Sequence, residues 1–420
     1  MRWTPARAPH FCGYWLVAAA FVAQFVSAGV QNYVIGPFLT SMIDKLGFTR
    51  AEYTLPRSIG QFVAAAAGFL IGTWVDRLGA RAFMIAGLIF TVAALLLTSW
   101  VTNLWQWVVL NGLILSIGAA LVGNLVVNVT LSKWFVSLRG RAIAIAAMGV
   151  SLAGVILTPA VTVSIDLVGW RETWRLLALL TVVLIGPAAF LMRSSPERHG
   201  LHPDGAREVA TDSAIQADYE RSMTRGEALR TPTFYWLVTA FGLFVITIQV
   251  MLLQTIPMLT DAGYARTTAA AMMAVTNVPA LLSKPVWGWL IDELKPAPLA
   301  SLSSALTALS LFIIVWGTGA HHLPGLYAGF FLLGIGWGGM IPLQEVIWGA
   351  YFGRRYIGAV RGAALPFSLI FGAGAPLAKS YYFDVIGNYD GAIQTVAAAK
   401  LVAAMMLLAI PRPRRSGTPD

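Results

Sequence analysis

Lys284 interrupts an otherwise apolar stretch, NVPALLSKPVWGWLID at residues 277–292, and Pro285 follows it at once. An ionisable group set in hydrocarbon costs about 2.5–3.5 kcal/mol on insertion scales, so it is kept where it meets a wet cavity or a partner. Asp292, at the end of the stretch, is eight residues further on. At about 1.5 Å per helical residue, Lys284 then stands about 12 Å inside that end. Even its long stem does not easily reach water from there. Asn277 precedes it by seven residues on the same helical face. Ala280 and Gly288 are small and share that face, leaving room for a ligand beside the ammonium. Pro285 has no N–H for the carbonyl of Leu281, which loosens the helix next to the charge.

These side chains need elements that hold them in a bilayer. The 420-residue chain is 57% hydrophobic and 11% charged, with a mean hydropathy of +0.71. Soluble domains carry about 25% charged residues, so composition predicts an all-α integral membrane protein. A spanning helix needs about 20 mostly apolar residues. Such runs fall at 14–39, 54–75, 82–101, 105–131, 142–165, 173–192, 233–259, 268–291, 298–319, 325–350, 362–383 and 392–410. The first is longer than a signal-peptide core and no small-residue cleavage pattern follows, so it reads as a retained span. Residues 193–232 are polar and split the chain into six-helix bundles at 1–192 and 233–420, joined by a linker loop. Cys12 is the single cysteine, which excludes an intrachain disulfide.

Charge sets the sidedness. With both termini cytoplasmic, 20 of the 29 Lys and Arg residues fall inside and 5 outside. This is the positive-inside pattern, and it accounts for the net charge of +10 without nucleic acid. It predicts a multi-pass protein of a bacterial inner membrane, with the lipid bilayer as its surroundings. The other four cations, Arg57, Lys284, Lys379 and Lys400, lie within spans. Against them stands one acid, Glu345, about a turn from the inner end of span 10. It could pair with Lys284, carry a proton, or bond to Arg354 and Arg355. Arg57, a turn into span 2 from outside, either draws anions or snorkels to headgroups.

The halves repeat. GTWVDRLGAR follows span 2 and GWLIDELKPA follows span 8, with Asp76 and Asp292 216 residues apart. Phe135 and Phe352 are 217 apart, as are Pro159 and Pro376. A near-constant offset with landmarks in one order indicates a parallel repeat, and such repeats place a substrate site near the midplane. Other signals fail. GIGWGG at 334–339 has G-x-G-x-x-G spacing but lies in an apolar span, so its glycines serve helix packing. There is no G-x-x-x-x-G-K-[ST] motor loop. His321 and His322 lack further clustered ligands, so no metal and no cofactor is implied. No nucleophile–base pattern supports an enzyme.

GTWVDRLGAR resembles the G-x-x-x-D-R-x-G-x-R loop of the major facilitator superfamily, through Gly72, Asp76, Arg77, Gly79 and Arg81. RSSPERHGLHPDG at 193–205 looks like the opening of the central loop in carboxylate porters of the monocarboxylate and oxalate–formate branch. MTRGEALRTPTFYWL, GFTRAEYTL, YFGRRYIGAVRG and GAPLAKSYYFDVIGNYD extend the likeness over most of the chain. The resemblance implies that the Asp76 loop is a gating latch. Physical chemistry gives it a reason: a carboxylate at a helix C-terminus opposes the dipole, but is useful if it pairs with a nearby arginine or caps the N-terminus of another helix. Lys-Pro-x-x-Gly at 284–288 resembles the Arg-Pro-x-x-Gly of monocarboxylate carriers, whose cation holds the substrate carboxylate. Lysine supplies a point charge in place of a bidentate fork. Proton-coupled relatives place aspartate where this chain has Ala280, which weakens that route of coupling.

In this fold, Tyr33 in span 1, Asn124 and Asn128 in span 4, Gln249 in span 7, and Trp337 and Gln344 in span 10 fall on cavity-lining spans. Each contacts substrate or stitches helices. Span 12, with Lys400, usually faces lipid. The expectation is secondary active or facilitated transport of a small organic anion, a mono- or dicarboxylate, by a monomer using alternating access. The alternative is an exporter of amphipathic compounds or drugs.

Overall fold

The computed structural model describes residues 12–205, 213–220, 222–386, 390–411 and 413, and all regular structure among them is helical. Its long helices are span 1, Gly13–Leu46; span 2, Arg50–Leu78; span 3, Ala80–Thr98; span 4, Leu104–Trp134; span 5, Arg139–Val168; and span 6, Trp170–Leu191. Then come span 7, Pro232–Asp261; span 8, Arg266–Glu293; span 9, Pro296–Gly319; span 10, Leu323–Phe352; span 11, Ile357–Ile386; and span 12, Asp390–Leu408. They coincide with the twelve hydropathy runs, most extending a few residues past them. The apolar runs mark the hydrocarbon layer, and helices project beyond it into the headgroups.

Local chemistry sets the ends. Thr49 and Glu52 form a reciprocal capping box at the start of span 2. The Thr231 side chain accepts from the Phe234 N–H, with Pro232 in the first turn of span 7. In the interiors, Thr98, Thr130, Thr181, Thr255, Thr307 and Thr318 each donate to the carbonyl four residues back. Hydrocarbon offers no other acceptor, so these hydroxyls turn onto their own helix. Large apolar side chains such as Leu70, Trp105, Leu167 and Phe190 are exposed on the outside of the helices, where lipid replaces water.

Two spans are irregular. Span 1 passes through a π-helical turn at Gly29–Tyr33. Span 4 is π-helical over Val108–Ile114 and breaks at Gly123, whose φ of −75° and ψ of −166° are extended.

The chain divides into two compact units: Met1–Arg225 with Phe352–Pro366, and Gly226–Tyr351 with Phe367–Asp420. Most of the linker and the first part of span 11 thus belong with the first bundle. In that unit Phe38 stacks on Trp174 at 4.0 Å and Tyr53 on Trp107 at 5.0 Å. In the second unit the core gathers Met251, Leu259, Met272, Leu311, Phe330 and Ile393 among others.

Lys400 lies inside that second unit and not toward lipid. It is 0% exposed. Its Nζ sits 4.5 Å from the Phe244 ring centroid and, among the described residues, has no hydrogen-bond partner. Ser304 Oγ donates to its backbone carbonyl at 3.0 Å. An unsatisfied buried polar group costs about 1–3 kcal/mol, which the ring contact offsets only in part. Lys400→Met keeps the stem and removes the amine. We expect its thermal unfolding midpoint in detergent to rise by a few degrees; a fall would show that the amine contributes more than the ring contact reveals.

Candidate functional site

Lys284 is 2% exposed in the second half of span 8. Span 10 packs closely on the same stretch of helix. Gly338 abuts Ser283 Oγ and the Ala280 carbonyl, Gly334 abuts the Thr276 carbonyl, and Gly339 lies under the Trp287 ring. A Cβ at any of these glycines would collide, so GIGWGG is a docking surface between helices. The Trp287 indole N–H donates to the Ile335 carbonyl at 2.9 Å. Ala280 is 5% exposed within this contact, so the small residue there serves helix approach and not open space. Asn277, Trp337 and Gln344 are half-buried. Trp337 packs against the apolar core of its unit. Glu345 is buried at 8% exposure on span 10. The side chains of Gln249, Gln254 and Lys379 lie outside the described residues.

In the first unit, Tyr33 closes the π-helical turn of span 1 and its ring covers Gly154 of span 5. Arg57 of span 2 is half-buried and within electrostatic reach of the Tyr33 hydroxyl. A π-turn carrying a polar cluster is a frequent mark of a functional site. Asn124 and Asn128 part company. Asn124 is exposed where the helix restarts after Gly123. Asn128 is 0% exposed and its Oδ1 accepts from the Gln24 amide at 2.9 Å, tying span 1 to span 4. One bond between two amides leaves an acceptor on Gln24 and a donor on Asn128 unmatched among the described residues.

The Asp76 loop is held by several polar contacts. Asp76 receives the Gly358 and Ala359 N–H groups at 3.3 and 2.9 Å, so it caps the start of span 11. It also pairs with Lys133 at 2.7 Å, both side chains under 10% exposed. Gly72 lets the span 11 backbone close in: a Cβ there would strike the Gly358 carbonyl. Gly79, at φ 82° and ψ 167°, ends span 2 in a positive-φ conformation that favours glycine. Arg81 donates to the Phe190 and Met192 carbonyls at the end of span 6. The Arg77 carbonyl accepts from Arg198 at 2.8 Å.

Around this core stand ion pairs that hydropathy and motif reading do not assign. Arg354 bonds to Glu197 at 2.6 Å and lies 3.8 Å from Asp218, which also pairs with Arg139 at 3.3 Å. Asp204 accepts the Val136, Ser137 and Leu138 N–H groups ahead of span 5. The described parts of the polar linker, 193–205 and 213–220, are therefore strapped onto the first bundle by their carboxylates. In the sequence the linker shows as a polar run that opens on RSSPERHGLHPDG. Burial first, then the positive charges of Arg193, Arg81 and Arg198, hold the His199 imidazole below its ordinary value, which marks this face as electropositive.

Asp204→Ala would leave three N–H groups without their acceptor, at about 1–3 kcal/mol. We expect faster limited proteolysis within 193–222; unchanged cleavage would show that the strap holds without it. Burial raises the Asp204 carboxyl above its ordinary value despite those donors. The folded protein then holds that proton more tightly than the unfolded chain. Its ionisation therefore subtracts from stability as pH rises from the ordinary value through the raised one.

Comparison with known proteins follows the same lines. The model of the Major Facilitator Superfamily matches residues 20–378. An uncharacterized MFS-type transporter of Bacillus subtilis, YcxA, is 23% identical over 84% of this chain and 84% of its own length. Bovine monocarboxylate transporter 13 is 25% identical over 95% of this chain and 89% of its own. The oxalate:formate antiporter of Oxalobacter formigenes is 25% identical over 95% and 91%. The proton:xylose symporter XylE has the same fold at a TM-score of 0.77 and 12% identity, covering 95% of this chain and 96% of its own.

Proposed function

The chain belongs to the major facilitator superfamily, and on that premise we propose that this multi-pass membrane transporter, which is not an enzyme, carries a small organic anion, a mono- or dicarboxylate. Lys284 supports the reading most directly. It is a cation buried at 2% exposure in span 8, set in Lys-Pro-x-x-Gly, in a chain whose full-length relatives include proteins named for monocarboxylate and oxalate:formate transport. Lysine binds carboxylate as a point charge, and in a low dielectric that attraction is several-fold stronger than in water. Asn277 on the same face supplies a further donor. The Asp76 cap and its Lys133 pair act as a latch that holds one state of an alternating-access cycle. Basic residues concentrate on the Asp76 side of the chain, which supports a cytoplasmic location for that side and for both termini.

A thermal-shift screen of purified protein tests the substrate class. Formate, oxalate, lactate and their homologues should raise the unfolding midpoint saturably. A shift given only by neutral or cationic amphipathic compounds would replace this reading with the exporter one.

A further inference from the structure

A cavity of about 270 Å³ opens among the ion pairs of the first unit, at the Asp76 end of the spans. Space for one water in liquid is about 30 Å³, so the cavity takes a small polyatomic ion with several waters. Asp76, Lys133 and Arg354 form its buried floor, while Glu197, Arg198, Tyr219 and Arg355 stand exposed around it, with Ser194 and Ser195 half-buried. Its charges do not balance. Asp76 is taken by Lys133 and by two N–H groups, and Glu197 by Arg354. Among the described residues, Arg198 and Arg355 have no carboxylate partner.

Arg198 spends one N–H on the Arg77 carbonyl, which leaves the rest of its fork free. The Arg355 guanidinium lies over the rings of Tyr219 and Tyr356 at 5.3 and 5.1 Å. That stacking fixes the plane of the cation without using its donors. Two planar forks and two serine hydroxyls around one hole suit an anion that accepts hydrogen bonds from several directions. A carboxylate is flat and presents its two oxygens in one plane; a tetrahedral phosphate group matches better, and guanidinium is its bidentate partner.

We propose that this cleft binds a phosphate group, and that the bound group ties segment 193–222 to the ends of spans 2, 4 and 11. It thereby stabilises the arrangement in which Asp76 caps span 11. The group comes either from inorganic phosphate or from a phospholipid headgroup, and the two are separable. The site is distinct from Lys284 and stands whether or not the protein carries carboxylates.

The test uses the full chain purified in maltoside and freed of lipid. Sodium phosphate, titrated against sodium chloride at equal ionic strength, should raise the unfolding midpoint saturably. Short-chain phosphatidylglycerol, compared with a maltoside of matched chain length, tests the headgroup. A response to phosphate identifies the free ion, and a response to phosphatidylglycerol alone identifies lipid. In either case the Arg198→Gln/Arg355→Gln double variant should weaken the apparent affinity at least tenfold, while Lys284→Gln leaves it unchanged. Should the double variant fail to fold, Ser194→Ala/Ser195→Ala, which keeps every charge, should weaken the affinity severalfold. No saturable response to either ligand, or a response that survives these substitutions in full, overturns the proposal.

Discussion

Lys284→Gln is expected to weaken carboxylate binding about 10- to 100-fold while the protein stays folded. A hydrogen bond to a charged group is worth about 1.5–3 kcal/mol, and about 1.4 kcal/mol is a tenfold change in affinity. Glutamine keeps a donor and an approximate length but removes the charge. It also removes the cost of holding a cation at 2% exposure, so stability should hold or rise. That combination separates a binding role from a structural one, since a lysine retained only to pair with a neighbour would lose stability on neutralisation. Lys284→Arg should restore binding in part, with selectivity moved toward acids that accept a bidentate fork. Carboxylate titrations of the three proteins by thermal shift, with circular dichroism for the fold, decide the matter. Unaltered affinity in Lys284→Gln would move the site elsewhere.

Asp76→Ala should have the second large effect. Its carboxylate neutralises Lys133 at 2.7 Å and caps Gly358 and Ala359. Removing one partner of a buried pair costs about 3–5 kcal/mol, because Lys133 is left buried and uncompensated. If only one conformation makes these contacts, the equilibrium moves by the same amount, which is a factor of about 100 or more. Amide exchange over residues 354–366 should accelerate markedly and transport should slow. Asp76→Asn keeps an acceptor and loses the charge, so it should fall between the two. Protected amides at 354–366 in Asp76→Ala would show that the start of span 11 is held by other means.

Much of the architecture is written in the chain because the bilayer selects for it directly. Twelve apolar runs, one polar interruption and a biased distribution of arginine follow from hydrocarbon thickness and surface charge. The Asp76 motif is likewise legible, since a carboxylate at a helix C-terminus needs a partner. What escapes is set by packing. The π-turn at Gly29–Tyr33 and the break at Gly123 sit in runs whose hydropathy does not change. Asn124 and Asn128 look equivalent by spacing, yet one is open and the other is locked to Gln24, because that depends on which residue of span 1 stands opposite. Lys400 looks lipid-facing from its span and is enclosed by its neighbours. Asp204 and Asp218 look like ordinary loop acids. They become anchors only because unpaired N–H groups and arginines from distant positions converge on them.

Transport of a small organic anion held by Lys284 is measured most directly by uptake into liposomes. Purified protein reconstituted into vesicles, with and without internal carboxylate, should take up labelled formate, oxalate or lactate saturably. Unlabelled carboxylates should compete, and Lys284→Gln should reduce the initial rate at least tenfold at substrate concentrations below saturation. Saturable uptake confined to neutral or cationic compounds and indifferent to Lys284 would contradict it.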